Sequence, residues 1–384
     1  MRILIQQPRL PHYRVPLMNR LVQQHGWQLT VAFTPRGGTG ESGLEVSQGE
    51  LFECALLPMR QYKAGRLKLH FQRGLLQLLR SSPWDAFFWE GAHANLSGYL
   101  AACWCRRRRI PSICWIKGYF TPQNALRRGM NRLLLRAAHA FLPYGDTTHE
   151  FLKAYGVRPE QVVRAYNTVD IETIVAQQAS LRQQGQAMLE AIGWSCARPL
   201  FAVVGRLIPE KRVQDALHAV ACASECGLDA YLLVVGDGPE RTRLELLTGE
   251  LGIQSRVHFT GRVPEHGDST VLAVADVAVF PGVPGLAINQ AMALGTPVVI
   301  ADLPGPDGEM VQHGETGWRY PEGDLEALLA AIHSALHATE RTQIVQKARE
   351  EVLQRRNLQQ YAEAFREAVR VAQQIAGTKP QIHG

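Results

Sequence analysis

Two successive series of buried strand-like runs, each alternating with helical stretches, constrain the fold of this chain most strongly. Strands that are apolar on both sides are typical of a parallel sheet covered by helices. The pattern predicts an α/β fold of βαβ units. In the second series most of the runs end in glycine: LFAVVG (200–205), AYLLVVG (230–236), VHFTG (257–261), VAVFPG (277–282) and PVVIA (297–301).

The first half of the chain shows the same alternation with shorter runs. We predict strands at 2–7, 28–33, 86–89, 112–116, 140–143 and 161–166, and helices at 15–25, 67–79, 96–105, 126–138 and 147–155. A length of 384 residues favours two domains. We expect a first domain at 1–168, a second at 169–357, and a helix within 358–384 that packs back on the first.

Composition excludes several classes of protein. Hydrophobic residues make up 46% and charged residues 20% of the chain, which argues against wholesale disorder. No run approaches the roughly 18 apolar residues of a membrane span, and the first apolar run is too short for a signal peptide. The seven cysteines show no paired zinc-type spacing, which predicts a cytoplasmic chain with reduced, buried thiols.

Charge is distributed unevenly along the chain. Residues 1–170 contain 23 Lys and Arg against 10 Asp and Glu, whereas the remainder contains 18 against 25. Arg127, Arg128, Arg132 and Arg136 alternate with leucines in 126–138, which predicts a basic amphipathic helix able to lie on an anionic membrane surface. A solvated basic face is the alternative. No recognition helix, RNA motif or aromatic platform indicates nucleic acid.

The segment VVGRLIPEKR (203–212) carries the strongest chemical signal. Gly205 permits close backbone approach, and we predict that Lys211 begins a helix, whose N-terminus favours an anion. The guanidinium fork of Arg206 and the point charge of Lys211 together suit a diphosphate. The alternative is a surface Arg and Lys on an ordinary βα turn.

Two further turns follow buried strands. In VVGDGPE (234–240) the amides of Gly236 and Gly238 are candidates to line a pocket. In VFPGVPGLAINQ (279–290) Gly285 lies just before a helix that opens near Leu286 and whose N-terminus can meet a phosphate, with Gln290 one turn further in. Solvent-facing side chains at the start of this helix are the alternative.

The ordered set GRLIPEK, VVGDGPE, VHFTGRV, ADVAVFPG, GLAINQAMALGTPVV and GEMVQHGETGWRYPEGD resembles the retaining glycosyltransferases of the GT-B type, family 4. The likeness covers roughly residues 165–330, and PHYRVP (11–16) is similar to the opening of a subgroup that makes bacterial surface polysaccharides. The resemblance implies two Rossmann-like domains facing across a cleft, with a nucleoside-diphosphate sugar held by the second. No Asp-x-Asp metal motif stands in a convincing loop, so we expect Arg206 and Lys211 to replace a divalent metal, with no further cofactor.

The resemblance also implies roles for particular residues. Arg206 and Lys211 match the pair that contacts the donor diphosphate, and Glu309 matches a glutamate beside the donor. His93 matches a histidine near the transferred sugar. The expected acceptor side of the first domain is formed by His12, Tyr13, Arg14 and Glu90.

One departure from the family pattern stands out. The family carries two glutamates eight residues apart, whereas this chain has Gly282 and Gln290 at those places, in a turn about three residues shorter. The sequence therefore predicts a glycosyltransferase acting on a saccharide acceptor in surface glycan synthesis, and the resemblance implies that this acceptor is lipid-linked. A degenerate protein that binds without turnover is the alternative, and an epimerase or phosphorylase of the same fold is a further rival.

Overall fold

The computed structural model describes residues 1–35, 51–64, 67–92, 94–118, 125–194, 198–225, 228–264 and 266–377. The chain divides into two compact units. Unit 1 comprises Met1–Val169 and Leu358–Gly384, and unit 2 comprises Asp170–Asn357. Each unit contains a six-stranded parallel sheet, so the predicted α/β class is confirmed.

The unit 1 sheet has the strand order β3-β2-β1-β6-β7-β8, and a separate antiparallel pair is formed by β4 and β5. Its strands are β1 (Arg2–Gln6), β2 (Gln28–Phe33), β3 (Glu53–Leu56), β4 (Met59–Ala64), β5 (Leu67–Gln72), β6 (Ala86–Glu90), β7 (Ser112–Ile116) and β8 (Ala140–Pro143). Its helices up to residue 169 are α1 (Val15–His25), α2 (Leu75–Ser81), α3 (Leu96–Arg107), α4 (Ala125–Leu135) and α5 (Asp146–Ala154).

Two predictions for unit 1 are wrong. The predicted helix at 67–79 is the strand β5 followed by α2, because Leu67, Leu69 and Phe71 alternate with polar residues and pair with β4. The predicted strand at 161–166 makes only one isolated bridge, from Val162 to Phe141. A 3-10 turn at Pro159–Gln161 takes the place of its start.

Unit 2 repeats the architecture, with the strand order β11-β10-β9-β12-β13-β14. Its strands are β9 (Leu200–Val204), β10 (Tyr231–Val235), β11 (Val257–Gly261), β12 (Val277–Phe280), β13 (Val298–Ala301) and β14 (Trp318–Tyr320). Its helices are α6 (Ile171–Ala176), α7 (Gln178–Ala191), α8 (Val213–Glu225), α9 (Arg241–Glu250), α10 (Gly267–Val274), α11 (Ala287–Leu294), α12 (Leu325–His337) and α13 (Arg341–Arg355).

Four strands of unit 2 are buried along their whole length, which explains the regularity of its apolar sequence pattern. All five residues of β9 and all five of β10 are buried, as are all four of β12 and of β13. Side chains on both faces of these strands are therefore covered, and each fully buried aliphatic side chain contributes about 1.5–3 kcal/mol. Because the strands are parallel, the turns that follow them meet at one carboxyl edge of the sheet.

The helix α14 (Leu358–Ala376) completes the core of unit 1. Phe365 stacks on Phe88 of β6 with ring centroids 5.0 Å apart. Trp115 of β7 donates a hydrogen bond from Nε1 to the hydroxyl of Tyr361 at 2.8 Å. Unit 1 is therefore discontinuous in sequence, and its sheet is covered on one face by a helix that follows all of unit 2.

Candidate functional site

The first motif lies at the carboxyl edge of the unit 2 sheet, between β9 and α8. After Gly205 the chain forms a 3-10 turn at Pro209–Lys211 and enters α8 at Val213. The prediction that Lys211 begins a helix is wrong, because Arg212 takes left-handed backbone angles (φ 50°, ψ 38°) between the two segments. Lys211 instead closes the 3-10 turn, with its amide donating to the carbonyl of Ile208 at 3.0 Å.

The ammonium of Lys211 is a fixed positive charge at this edge. Its Nζ donates to the carbonyl oxygen of Pro284, in the turn after β12, at 2.9 Å. Cβ atoms built on Gly205 and Gly285 would lie 3.2 Å and 3.1 Å from the same Nζ. Arg206 is exposed on the turn after Gly205. Because both flanking positions are glycine, no Cβ from either of them stands beside this positive charge.

The turns after β9 and β10 pack backbone against backbone. The amide of Gly205 donates to Val235 at 3.0 Å, and a Cβ on Gly236 would overlap the carbonyl oxygen of Gly205. A Cβ on Gly238 would overlap the carbonyl oxygen of Leu207 in the same way. Glycine is therefore required at 236 and 238 by close approach to the backbone of Gly205 and Leu207, the segment that leads into the Lys211 turn.

Gly282 stands where the family pattern has its first glutamate. A Cβ at this position would overlap the carbonyl oxygen of Glu210. The amide of the next residue, Val283, donates to that same oxygen at 2.9 Å. The turn has no room for a side chain at 282, and a carboxylate there would displace the Lys211 turn.

The helix α11 begins beside this turn. Leu286 is its N-cap residue and Ala287 its first residue. Gln290 and its neighbour Asn289 are buried, with 9% and 1% of their surface exposed. The alternative that these side chains face solvent is therefore wrong.

Glu309 lies in the segment between β13 and β14, and it faces a buried arginine. Its Oε1 is 3.3 Å from Nη2 of Arg356, whose side chain is 3% exposed. Nε of Arg356 also lies 3.6 Å from a carboxylate oxygen of Glu351. Glu309 is thus held by the segment that leads from α13 to α14.

In unit 1 the loop after β6 is held by buried amide side chains. Asn95 donates from Nδ2 to the carbonyl of Glu90 at 2.9 Å and to Oε1 of Gln6 at 2.8 Å, and its Oδ1 caps α3 by accepting from the amide of Gly98 at 3.0 Å. Gln6 Oε1 also accepts from the amide of Glu90 at 3.3 Å, and Gln6 Nε2 donates to Gln72 at 2.5 Å. Both backbone groups of Glu90 are therefore fixed.

An aromatic cage surrounds Arg14 at the same edge. Its Nη2 donates to the hydroxyl of Tyr144 at 3.0 Å, and its Cζ lies 4.2 Å from the ring centroid of Trp115. Only 3% of Arg14 is exposed. Burial raises the pKa of the Glu90 carboxyl, and the positive charge of Arg14 partly opposes that rise. The arrangement holds a carboxyl group and a cation near each other at the end of the sheet.

The remaining sequence candidates of unit 1 lie beside the cage or outside the described residues. His12 and Tyr13 share a 3-10 turn with Arg14; His12 is exposed, and its ring centroid lies 5.9 Å from that of Tyr13. His93 lies outside the described residues. The structure thus brings His12, Tyr13, Arg14 and Glu90 to the carboxyl edge of one sheet.

Sequence reasoning missed several residues at these edges. Gln6, Gln72 and Asn95 are far apart in sequence and carry no motif; only an asparagine immediately before a helix signals one of them. Arg212 was not singled out either, because its left-handed conformation cannot be read from the sequence.

The described part of the chain offers neither a cluster of metal ligands nor a helix suited to the membrane interior. No group of three or more His, Cys, Asp or Glu side chains is placed there to hold a metal ion. Among the described helices, none combines the length and the apolar character needed to cross a bilayer.

Two family models match consecutive parts of the chain. The model "Glycosyltransferase Family 4" matches residues 17–173, and the model "Glycosyl transferases group 1" matches residues 188–351. The first therefore lies in unit 1 and the beginning of unit 2, and the second lies wholly in unit 2.

Among curated proteins, the chain is similar to the putative colanic acid biosynthesis glycosyltransferase WcaL of Salmonella typhimurium. The two are 28% identical over 237 residues, which cover 59% of this chain and 55% of WcaL. A 2-deoxystreptamine glucosyltransferase of Streptomyces kanamyceticus is 39% identical over 103 residues, covering 26% of this chain and 27% of that protein. The chain thus spans about half or less of the length of these relatives.

Solved structures resemble the whole chain. HepE of Anabaena, solved in complex with UDP, superposes with a TM-score of 0.74 at 18% identity, covering 96% of this chain and 99% of that one. At this identity the likeness establishes the GT-B fold and no more.

Proposed function

Because the chain belongs to the GT-B glycosyltransferases of family 4, we propose that it transfers a glycosyl group from a nucleoside-diphosphate sugar to a saccharide acceptor, with retention of configuration. The observation that carries this proposal is the Lys211 ammonium, held by the Pro284 carbonyl between Gly205 and Gly285. HepE, a protein of the same fold, binds UDP, which supports a nucleoside diphosphate as the ligand of this edge.

The proposed chemistry follows from where charge develops. The bond between the anomeric carbon and the diphosphate oxygen breaks, and negative charge grows on the leaving diphosphate. Lys211, Arg206 and the amides at the start of α11 stabilise that charge in place of a divalent metal. The acceptor hydroxyl forms the new bond on the face that the diphosphate leaves, and its proton passes to a leaving phosphate oxygen. No protein nucleophile takes part.

The acceptor side of the proposal is unit 1. Glu90 is the carboxyl group that would orient an acceptor hydroxyl, because its backbone is fixed by Gln6 and Asn95 and its side chain lies at the edge. His12 and Tyr13 add polar and aromatic surface beside it. WcaL is named for colanic acid biosynthesis, which supports a role of this chain in the synthesis of a surface glycan.

We also propose that α4 attaches the protein to an anionic membrane surface, where a lipid-linked acceptor would reside. Arg128 and Arg132 of α4 are exposed, as is Arg136 directly after it, and Leu133 between them is 56% exposed. Each such arginine adds about 1 kcal/mol to binding at an anionic surface. The exposed leucine can enter the boundary between headgroups and acyl chains.

Flotation with vesicles tests the membrane proposal. The wild type is expected to float with vesicles containing phosphatidylglycerol and not with pure phosphatidylcholine vesicles. Arg128→Glu with Arg132→Glu should abolish flotation. The matched control, Arg366→Glu with Arg370→Glu on exposed positions of α14, makes the same change in net charge and should leave flotation intact. Equal loss in both double variants would refute a role for α4.

One observation favours a second function, binding of a nucleotide-sugar without turnover. The turn at Gly282 has no room for a side chain, and Glu309 is engaged by Arg356. Position 282 therefore offers no carboxylate to the donor sugar, and Oε1 of Glu309 is engaged by Arg356. Turnover distinguishes the two functions, because both require that the nucleotide binds.

The test of the proposed function is calorimetric titration of UDP, GDP and dTDP with EDTA present. We expect one of them to bind, and the matching nucleotide-sugar to be hydrolysed slowly or transferred to an acceptor. Binding without any turnover of nucleotide-sugars would favour the second function. Absence of binding by all three would overturn the diphosphate site.

A further inference from the structure

Arg212 has a backbone conformation that glycine adopts freely and that is unfavourable for a long side chain such as arginine. Its φ of 50° and ψ of 38° lie in the left-handed region, where a Cβ crowds the following carbonyl oxygen. Strain of this kind persists where surrounding interactions hold it, and it concentrates at functional sites. The question is therefore what the Arg212 side chain does that a glycine could not.

The guanidinium of Arg212 joins two elements at the carboxyl edge of the unit 2 sheet. Its Nε donates to Oδ2 of Asp215, in the first turn of α8, at 2.7 Å, and its Nη1 lies 3.4 Å from Oε1 of Glu322, after β14. A Cβ on Gly323 would lie 2.9 Å from Nη2, so the loop after β14 packs closely against the guanidinium. Its hydrogen bond to Asp215 raises the pKa of Arg212, so the charge is permanent.

Lys211 and Arg212 are consecutive cations that engage different loops. Lys211 bonds Pro284 after β12, and Arg212 bonds Glu322 after β14. The turn that carries both is also fixed through its backbone, because Arg212 N donates to Pro209 at 3.0 Å and Val283 N donates to Glu210 at 2.9 Å. The turn is therefore held on one side by the Pro284 loop and on the other by the Arg212 side chain.

We propose that Arg212 is a positioning residue for the donor site: its bonds to Asp215 and Glu322 hold the Pro209–Arg212 turn so that the Lys211 ammonium is preset for a diphosphate. This inference rests on the proposed function for its ligand. It assigns Arg212 no contact with that ligand. The consequence is that loss of the Arg212 side chain weakens diphosphate binding only through Lys211.

Arg212→Gly tests the proposal, since glycine takes left-handed angles freely and the variant is expected to fold. In titrations with whichever of UDP, GDP or dTDP binds the wild type, we expect its Kd to rise about tenfold, as small misplacements at a site do. The Kd of the corresponding nucleoside should not change. A general structural defect would weaken both ligands, and an unchanged diphosphate Kd would overturn the proposal.

A double-variant cycle with Lys211→Met separates positioning from direct contact. If Arg212 acts through Lys211, Arg212→Gly should cause no further loss in the Lys211→Met background. Additive losses would overturn the proposal. The matched control is Arg198→Ala, which removes a 2.9 Å ion pair with Asp229 at the amino end of the same sheet and should leave diphosphate binding unchanged.

Hydrogen exchange judges the positioning role without a ligand. In Arg212→Gly the amides of Lys211 and Val283, which donate to Ile208 and Glu210, should exchange faster than in the wild type, because their turn has lost its support on one side. If the wild type binds none of the three diphosphates, the proposed function fails, whereas faster exchange would still support the role of Arg212 in holding the turn. Unchanged exchange at both amides would overturn it.

Discussion

The carboxyl edges of the two sheets differ in what forms them, which is backbone in unit 2 and buried side chains in unit 1. In unit 2 the edge is made of backbone: glycines at 236, 238 and 282 lie against carbonyl oxygens, and one lysine supplies the charge. In unit 1 the edge is made of buried side chains, with the Gln6–Asn95 amides on one part and the Arg14 cage on another. Two sheets of the same topology therefore present opposite kinds of site.

This difference predicts which of the two edges determines substrate specificity and which unit loses stability in acid. An edge formed by backbone suits a ligand group that does not vary, such as a diphosphate, and it contains few groups that titrate. A side-chain edge can be altered residue by residue, which suits a variable acceptor. Unit 1 also buries groups whose pKa values are shifted: Glu90 at this edge, Cys105 near the end of α3, and His139 at the amino end of β8.

The largest effect should come from Gly236→Ala, which would break the backbone edge. The new Cβ would overlap the carbonyl oxygen of Gly205, and φ at 236 is 126°. We expect a loss of about 3 kcal/mol or more in the free energy of unfolding, measured with urea.

The control for that variant is Gly129→Ala in α4, where a Cβ meets nothing within 4 Å. It should be neutral or stabilise by up to about 1 kcal/mol. If Gly236→Ala were equally harmless, unit 2 would not depend on backbone packing, and the comparison between the two edges would collapse.

The next effect concerns pH and unit 1. Burial, with Arg106 nearby, lowers the pKa of His139 to about 4, and its Nδ1 accepts from the amide of Ser112 at 3.1 Å. Between pH 6.5 and 4 the unfolded chain takes up a proton that the folded chain does not. Stability is therefore full above pH 6.5 and falls by about 3 kcal/mol towards pH 4.

His139→Asn should reduce the loss of stability between pH 6.5 and 4, because the amide oxygen of asparagine can accept from the Ser112 amide and does not titrate. Urea unfolding at several pH values measures the slope. Glu90 acts in the opposite sense, because a carboxyl with a raised pKa gains stability as pH falls. Its contribution is the same in both proteins and cancels in the difference. Equal slopes in wild type and variant would contradict the assignment.

Lys211→Met comes third and sharpens the comparison at the unit 2 edge. Removal of the ammonium that bonds Pro284 should raise the Kd of the bound diphosphate about 100-fold, which corresponds to about 2.7 kcal/mol. Calorimetry measures this change in Kd, and unfolding in urea checks that the fold is retained.

Arg206→Ala combined with Lys211→Ala should abolish turnover, and unchanged turnover would refute the phosphate assignment.

The smallest of the four effects is expected for Asn95→Ala at the unit 1 edge. The variant loses the cap of α3 and the bonds to Gln6 and the Glu90 carbonyl, which together cost about 2 kcal/mol. The control Asn19→Ala removes a bond to the Leu51 amide on the surface and should cost less than about 1 kcal/mol. A reversed order would show that the amide network contributes little.

The same contrast explains what the sequence could predict. The unit 2 strands and their glycine turns were predicted because close backbone approach demands glycine at fixed offsets from a strand. The unit 1 network was not, since Gln6, Gln72 and Asn95 come together only in the fold. The strand β5 was missed although its alternation of apolar and polar residues favours a strand. Nothing in the sequence indicates the left-handed backbone conformation of Arg212.

The discontinuity of unit 1 has a consequence for biosynthesis. Unit 2 occupies one uninterrupted stretch, so it can fold as soon as Asn357 has left the ribosome. Unit 1 must wait for α14, although most of it is synthesised first, and until then Phe88 and Trp115 lack their helix partners. The nascent chain should therefore complete its second unit before its first, with an apolar surface exposed to chaperones in the interval.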